Sequence, residues 1–301
     1  MKIAISGSSG MIGQALVRSL SKRRHEVWRL LRGSAGDLGH PAKTLFWDPE
    51  EGHIDPAVLE GFDAVIHLGG LNLASQRWDP DFKKQAWDSR VLSSALLAKT
   101  LAGLKKPPAV FFCASAVGIY GDRGPEALDE ASALGNGYLA ELCRAWEAAC
   151  DPARNRGIRV VHTRFGVVLA PEGGVLKKML PPFRLGLGGG IGSGKQWVSW
   201  IALPDLVEAF ALLLEKNDAD GPYVFCSPNP VSNANFTKAI GRAVARPAFF
   251  RVPAFAARLA FGEMADQLLL ASQKALPRRL KEAGYKFQSP YIGETLGKAI
   301  K

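Results

Sequence analysis

Apolar and polar positions alternate over positions 1–170 in a way that predicts strands and helices in turn. Short, nearly continuous apolar runs are typical of strands that are covered on both faces, and they span 2–6, 26–31, 63–70, 109–115 and 158–169. Apolar residues at helical spacing occupy the segments between them, at 11–25, 81–104 and 137–157. Strands that alternate with helices of this length predict an α/β fold with a doubly wound parallel sheet.

The pattern changes after position 170. Residues 171–202 are rich in Gly and Pro and show no regular period, whereas 203–227 again predict a helix and a strand. The broadly apolar stretch 252–276 predicts a long helix near the end of the chain. We therefore expect a sheet domain of residues 1–170 plus 203–227. Residues 171–202 plus 228–301 should form a smaller, mostly helical C-terminal lobe over the carboxyl ends of the strands.

Composition and charge exclude several classes of protein. The chain has 301 residues, of which 47% are hydrophobic and 22% charged, as is ordinary for a globular protein. No window approaches 18 uninterrupted apolar residues, so we expect no membrane partner. The net charge is +10, but the basic residues are dispersed and not interleaved with aromatic ones, so we expect no nucleic-acid partner either. An anionic small molecule would suit this positive charge equally well. The sequence leaves the oligomeric state open.

The cysteines and histidines indicate a cytoplasmic protein without a metal. The four cysteines are scattered along the chain and include no CxxC pair, which is typical of reduced thiols in the cytosol. The five histidines show no spacing that metal ligands require. We therefore expect no metal site.

A glycine-rich turn follows the first predicted strand, where residues 6–13 read "SGSSGMIG". In this context Gly7 permits a tight turn, Gly10 lets a pyrophosphate approach the backbone, and Gly13 lets the helix pack closely on the sheet. Free N–H groups at the start of the helix favour an anion. The sequence therefore predicts a dinucleotide site in a Rossmann domain. This site also includes the other residues of the turn and of the first helical turn, namely Ser9, Met11 and Ile12.

The end of the second strand decides which dinucleotide is expected. A carboxylate there would bind the ribose hydroxyls of NAD, whereas an arginine would bind the 2′-phosphate of NADP. The segment reads "WRLLRG", and the first carboxylate after it is Asp37. Arg32 occupies the discriminating position and Arg29 is a second candidate, so the expected cofactor is NADP.

Three motifs, "SGSSGMIG", "DAVIHLGG" and "SAVGIYGDRG", together resemble those of the extended short-chain dehydrogenases/reductases of the epimerase/dehydratase type. The segments "ELCRAWEAA", "PFRLGLGGGIGSGKQWVSWI" and the ending "FGEMADQLLLASQKALPRRLKEAGYKFQSP" resemble one branch, of unassigned substrate, with a C-terminal domain of unknown function. The resemblance implies that Leu68, Gly69 and Gly70 belong to the cofactor site, with the two glycines beside the adenosine end. It also places Arg90 and Val168 near the cofactor.

The expected catalytic groups of such enzymes are incomplete. Relatives that transfer a hydride use a hydroxyl residue and a Tyr-x-x-x-Lys pair, because the ammonium group lowers the phenol pKa. Four positions after Tyr138 stands Leu142, and the alternative alignment places Leu139 and Cys143 at the Tyr and Lys positions. Ser115 and Tyr138 are the remaining catalytic candidates.

Two functions are therefore open on the sequence alone. The first is an NADP-dependent epimerase, dehydratase or reductase that acts on an anionic or sugar-like small molecule. The second is an NADP(H)-binding sensor or scaffold that has lost the Tyr-Lys chemistry. The glycine turn and Arg32 support both, and the missing lysine favours the second.

Overall fold

The computed structural model describes residues 1–33 and 43–300. Its strands are β1 (Lys2–Ser6), β2 (Glu26–Arg32), β3 (Thr44–Trp47), β4 (Ala64–His67), β5 (Val110–Ala116), β6 (Ala127–Leu128), β7 (Arg159–Phe165), β8 (Val167–Leu169), β9 (Gly189–Ile191), β10 (Trp197–Val198), β11 (Trp200–Ala202), β12 (Gly221–Phe225), β13 (Val231–Ser232), β14 (Phe250–Val252) and β15 (Lys274–Ala275).

The helices are α1 (Met11–Lys22), α2 (Pro80–Gly103), α3 (Tyr138–Ala148), α4 (Asp151–Asn155), α5 (Gly174–Arg184), α6 (Leu203–Glu215), α7 (Asn233–Ala243), α8 (Ala254–Phe261), α9 (Arg278–Glu282) and α10 (Ile292–Ala299). Short 3₁₀ turns cover Pro56–Leu59 and Val117–Tyr120, and a π-helical turn covers Ala265–Leu269. A search of the described residues finds no helix with the length and apolar character needed to cross a membrane.

Among the described residues, seven strands form the central sheet in the order β12-β7-β5-β4-β1-β2-β3. Every neighbouring pair is parallel. The strand order reverses between β1 and β4, which creates a crevice at their carboxyl ends where such sheets bind ligands. The prediction of a doubly wound parallel sheet is confirmed.

Helices cover both faces of this sheet, which explains why its strands are continuous apolar runs. On one face α1 and α6 bury residues such as Leu16, Leu20 and Phe210 against β1, β4 and β5. On the other face α2 and α3 bury Leu97 and Trp146. The glycine turn is thus held between a buried strand and a buried helix.

The C-terminal region has its own small core, formed chiefly by helices. Leu176 and Phe183 of α5, Phe236 of α7 and Leu296 of α10 pack around Trp200. The smaller, mostly helical region predicted after the sheet domain is present.

Several sequence-based element boundaries were wrong. Residues 137–157 form two helices, α3 and α4. The predicted strand 158–169 is interrupted at Gly166, where an added Cβ would lie 2.6 Å from the Cys226 sulfur. Residues 174–184 form α5 despite two internal prolines. The predicted helix 252–276 ends at Phe261, because Gly262 adopts a φ of +61° and turns the chain away.

Candidate functional site

The glycine turn joins β1 to α1. Gly7 has a φ of +67°, and an added Cβ on it would lie 2.8 Å from the carbonyl carbon of Leu68. An added Cβ on Gly13 would lie only 2.3 Å from the carbonyl oxygen of Gly7. The backbone geometry and packing of the protein itself therefore require glycine at positions 7 and 13.

Gly10 is different from these two glycines. Its backbone is extended, with φ −73° and ψ 166°, which any residue can adopt. An added Cβ would meet only the Gly7 carbonyl oxygen, at 3.3 Å. Gly10 caps α1 without a side-chain hydrogen bond, and the first turn of α1 holds no acidic residue. The first amide groups of a helix lack intrahelical acceptors, so this helix end fits a phosphate group.

A cavity of about 720 Å³ extends from this turn along the carboxyl ends of β1, β2 and β4. Its lining includes seven of the residues that the sequence assigned to the cofactor: Gly7, Ser9, Gly10, Arg32, Leu68, Gly69 and Gly70. Its volume lies within the range of small-molecule and cofactor sites. Five assigned residues lie outside the lining: Met11, Ile12, Gly13, Arg90 and Val168.

Arg90 holds the loop after β4 against α2. Its Nη2 donates to the carbonyl oxygen of Leu71 at 2.7 Å and its Nη1 to that of Ala86 at 3.1 Å. The guanidinium carbon lies 5.2 Å from the Trp146 ring centroid, and burial lowers the Arg90 pKa. The structure thus shows Arg90 positioning the loop that forms one wall of the cavity.

Val168 lies on β8, next to the start of α1. It pairs with Ile201 of β11. An added Cβ on Gly174 would lie 3.5 Å from the Val168 carbonyl oxygen and 3.4 Å from the Met11 Cε atom. The chain around Val168 and Gly174 therefore lies next to Met11, the first residue of α1 after the glycine turn.

Arg32 and Glu50 face each other at the edge of the cavity. Arg32 Nη1 lies 3.2 Å from Glu50 Oε1, and the two side chains are 71% and 79% exposed. An ion pair this exposed adds little stability, so each group is available to another partner. Arg29, the second candidate, instead donates to the Ser8 carbonyl oxygen at 3.1 Å and supports the glycine turn. Asp37 lies outside the described residues.

His67 contributes to the cavity in a way that the sequence did not reveal. This buried residue at the end of β4 places Nδ1 2.5 Å from Ser6 Oγ and Nε2 3.0 Å from Ser93 Oγ. Ser93 donates its own proton to the Ser89 carbonyl oxygen at 2.8 Å, so it accepts from His67 Nε2–H. Ser6 then donates to Nδ1. Burial lowers the His67 pKa and keeps the ring neutral, so this network links β1, β4 and α2.

The Ser115 hydroxyl belongs to a buried ion-pair cluster. It donates to Glu147 Oε1 at 2.7 Å. Both oxygens of Glu147 also accept from Arg164, from Nε and Nη2 at 2.8 Å each, and Arg164 Nη1 donates to the Tyr120 hydroxyl at 2.9 Å. Burial alone would raise the Glu147 pKa, but the hydrogen bonds and charge of Arg164 hold it below its usual value.

The Tyr138 hydroxyl points away from this cluster. It donates to the backbone carbonyl oxygen of Lys83 at 2.7 Å, and its ring packs against Trp78 at a centroid distance of 5.4 Å. Burial raises the Tyr138 pKa. Leu142 and Cys143, where an activating lysine would stand, are buried, and burial raises the pKa of the Cys143 thiol to about 12. Neither position can activate the phenol.

We expect Tyr138→Phe to leave cofactor affinity unchanged and to alter any turnover by less than about tenfold, well under the usual factor for general acid–base catalysis. The lost hydrogen bond to Lys83 should cost about 1 kcal/mol of stability. Calorimetric titration and urea denaturation measure the two effects. A hundredfold loss of turnover at unchanged cofactor affinity would contradict this expectation.

A second, smaller cavity lies between the turn after β5 and the C-terminal region. Its volume is about 310 Å³. Four of its lining residues are glycine or apolar, namely Gly118, Gly121, Leu270 and Ala271, and the other six are polar: Asp122, Asn136, Arg258, Asp266, Gln267 and Gln273. These side chains offer both hydrogen-bond donors and acceptors, which suits a polar molecule.

Comparison with known proteins identifies the family. Residues 3–225 match the family model described as the NAD dependent epimerase/dehydratase family. The chain belongs to this family. Residues 252–299 match a second model, a domain of unknown function named DUF1731. The resemblance stated from the sequence motifs is confirmed.

Individual relatives cover the whole chain. An epimerase family protein of Mycobacterium bovis is 44% identical over 99% of this chain and 97% of its own length. Human epimerase family protein SDR39U1 is 34% identical over the full length of both. A crystal structure of human SDR39U1 (isoform 2) with NADPH has a TM-score of 0.89 at 32% identity, covering 100% of this chain and 99% of that one.

More distant structures share the fold. The UDP-glucose 4-epimerase of Thermus thermophilus, solved in complex with NAD, is 18% identical with a TM-score of 0.75, covering 100% of this chain and 98% of that one. At this identity the likeness concerns the architecture alone.

Proposed function

We propose that this protein binds NADP(H) in the larger cavity and uses it on a small polar molecule, as an oxidoreductase or epimerase. The observation that carries the proposal is Arg32, which lines the cavity at the end of β2, where a carboxylate would favour NAD. The crystal structure of human SDR39U1 with NADPH supports this choice of cofactor.

The chain offers a separate group to each part of this cofactor. The pyrophosphate would meet the amide groups at the start of α1, beside Gly10. The 2′-phosphate would displace Glu50 as the partner of Arg32, because a phosphate is the stronger acceptor for a guanidinium group. Leu68, Gly69 and Gly70 would line the adenosine side.

When bound, the nicotinamide ring accepts or donates a hydride. The polar molecule would occupy the smaller cavity, where Asp122, Asn136 and Gln267 can orient hydroxyl groups by hydrogen bonds. Sugar-like hydroxyl compounds therefore suit this cavity better than apolar ones.

Exchange of Arg32 for alanine should weaken NADP⁺ binding roughly 10- to 100-fold, the scale of one charge-assisted hydrogen bond. NAD⁺ affinity should change by less than about twofold, since NAD⁺ has no phosphate at this position. Glu50→Gln should strengthen NADP⁺ binding a few-fold, because it removes a competitor for Arg32. Calorimetric titration of both cofactors gives the affinities needed.

Arg18→Ala supplies the matched control, since this exposed arginine of α1 does not line the cavity. It should leave both affinities as they are. Tighter binding of NAD⁺ than of NADP⁺ by the native protein would refute the proposed cofactor choice.

A second candidate function is cofactor binding without catalysis. It is favoured by Ser115, whose proton is donated to Glu147, and by Tyr138, whose hydroxyl is bonded to the Lys83 backbone. One measurement distinguishes the two functions. Reduced nicotinamide absorbs at about 340 nm, so the absorbance of the cofactor-loaded protein should change on addition of sugar-like substrates only if a hydride is transferred.

We infer a reducing compartment such as the cytoplasm for this protein. All four cysteines are buried and none forms a disulfide: Cys113, Cys143, Cys150 and Cys226. Free thiols of this kind are typical of chains that fold in a reducing environment.

A further inference from the structure

One segment of the C-terminal region is both strongly basic and strongly exposed. Residues 242–262, most of which are exposed, contain four basic residues and no acidic one, and Glu263 follows directly. Four large apolar side chains of the same segment are mostly exposed to solvent: Phe249 at 88%, Leu259 at 77%, Phe255 at 71% and Phe250 at 57%. Large apolar side chains grouped in this way mark interaction sites.

The backbone brings the residues that carry these side chains close together. Phe250 in β14 pairs with Gly189 of β9, and Leu187, which is 60% exposed, lies two residues before this pair. Strand β14 continues directly into α8, whose Ala257 faces the interior at 1% exposure. Phe255 and Leu259, one helical turn apart, share the solvent side of α8. We name Leu187, Phe249, Phe250, Phe255 and Leu259 the aromatic surface.

Positive charge accompanies the aromatic surface along the same segment of the chain. Arg242, Arg246 and Arg251 are exposed, and no ion pair joins them to another residue within the described ranges 1–33 and 43–300. Arg258 is partly neutralised by Asp266, with 2.9 Å between Nε and Oδ1. The surface therefore combines apolar side chains with a net positive charge.

We propose that the aromatic surface and its arginines dock on an anionic lipid bilayer. Exposed Phe and Leu side chains gain free energy by entering the boundary between headgroups and acyl chains, while Arg side chains reach the lipid phosphates. Each basic residue near an anionic membrane adds further attraction.

A second copy of this chain is the less favourable occupant. A symmetric contact would bring Arg242, Arg246 and Arg251 of both copies together, and like charges oppose association. An anionic membrane is complementary to the same charges.

In this mode of docking α8 lies on the surface of the membrane and does not cross the bilayer. The expectation of no membrane partner was based on the absence of a long apolar window, and a surface contact needs no such window. The proposal therefore concerns a different mode of membrane contact and does not depend on the proposed cofactor.

Vesicle co-sedimentation of the full-length chain tests the proposal. The native protein should bind phosphatidylcholine vesicles that contain about a third phosphatidylglycerol and should not bind pure phosphatidylcholine. Both Phe249→Ser/Phe255→Ser and Arg246→Glu/Arg251→Glu should lower the bound fraction at least about fivefold, since each removes one of the two attractions. Circular dichroism and urea denaturation confirm that these variants keep the native fold.

Lys105→Glu/Lys106→Glu is the matched control, because it changes the net charge by the same amount in the loop between α2 and β5, at the amino ends of the strands. It should retain binding. An equal loss in this control would show that overall charge alone attracts the protein, and would overturn the assigned surface. Failure of the native chain to bind anionic vesicles would overturn the proposal as well. A dimer lost in the phenylalanine variant, without vesicle binding, would assign the surface to a second copy instead.

Discussion

Replacement of Glu147 by glutamine is expected to lower the free energy of unfolding by about 3 to 5 kcal/mol, the range for a buried ion pair that loses one partner. The side chains of Arg164 and Glu147 are only 5% and 13% exposed, and they share two hydrogen bonds of 2.8 Å. Glutamine keeps the shape of the side chain but leaves the Arg164 charge buried without a counter-charge. The Ser115 hydroxyl also loses a charged acceptor.

Urea denaturation measures this loss directly. The matched control is Glu282→Gln, which breaks the ion pair with Arg278, where the two side chains are 58% and 61% exposed. That exposed pair should be worth less than about 1 kcal/mol. A loss below about 1 kcal/mol for Glu147→Gln would mean that the buried cluster does not stabilise the fold.

The same pair sets a pH dependence. Arg164 holds the Glu147 pKa in the folded protein below its value in the unfolded chain. The stability contributed by Glu147 is therefore complete above the unfolded pKa of about 4.3 and is lost as the pH falls through the lower, folded value. The stability difference between the native protein and Glu147→Gln should be largest near neutral pH and shrink below about pH 4.

The sheet was predictable because its signal is local. A strand covered on both faces must be apolar at nearly every position, as in β1, β4 and β5, and the helices between them bury one regular face. The glycine turn was predictable for the same reason, since the positive φ of Gly7 and the close approach of Gly13 to the Gly7 carbonyl oxygen are local, although Gly7 also packs against the distant Leu68.

Contacts between distant residues were not predictable from such patterns. Ser115 pairs with Glu147, 32 positions later, and His67 contacts Ser6 and Ser93, 61 and 26 positions away. Each of these residues has an ordinary local context. Only the fold decides whether a serine reaches a substrate or a buried carboxylate.

The C-terminal elements were mispredicted where tertiary packing overrides local preference. Helix α5 forms although Pro181 and Pro182 disfavour it, because Leu176, Leu180 and Phe183 become buried together. The apolar stretch 252–276 predicted one long helix, but α8 ends at Phe261, and Phe255 and Leu259 stay exposed.

Gly10→Asp is expected to weaken NADP⁺ binding at least about a thousandfold, equivalent to about 4 kcal/mol, while the protein remains folded. Aspartate is a favoured residue at a helix N-cap, where its carboxylate accepts from the amide groups two and three positions on. In α1 these are the amides of Ile12 and Gly13, the groups that the proposed pyrophosphate would need. The new negative charge also repels the cofactor phosphates.

A measurement of stability distinguishes this specific loss of binding from unfolding of the variant. The backbone of Gly10 is extended, and an added Cβ meets only the Gly7 carbonyl oxygen at 3.3 Å, so the turn needs to shift by only a few tenths of an ångström. The stabilisation that the new N-cap provides should offset the cost of that shift, so the thermal midpoint of unfolding should stay the same or rise.

Gly10→Asn is the matched variant, because it caps the helix in the same way but carries no charge. It should weaken NADP⁺ binding less than Gly10→Asp, and the difference between the two measures the repulsion between the carboxylate and the phosphates. Gly10→Ala, which neither caps nor charges the helix, should weaken binding least. If Gly10→Asp retained NADP⁺ affinity within about tenfold of the native protein, the cofactor phosphates would not lie at the start of α1, since a carboxylate there cannot share its amide groups with a second anion.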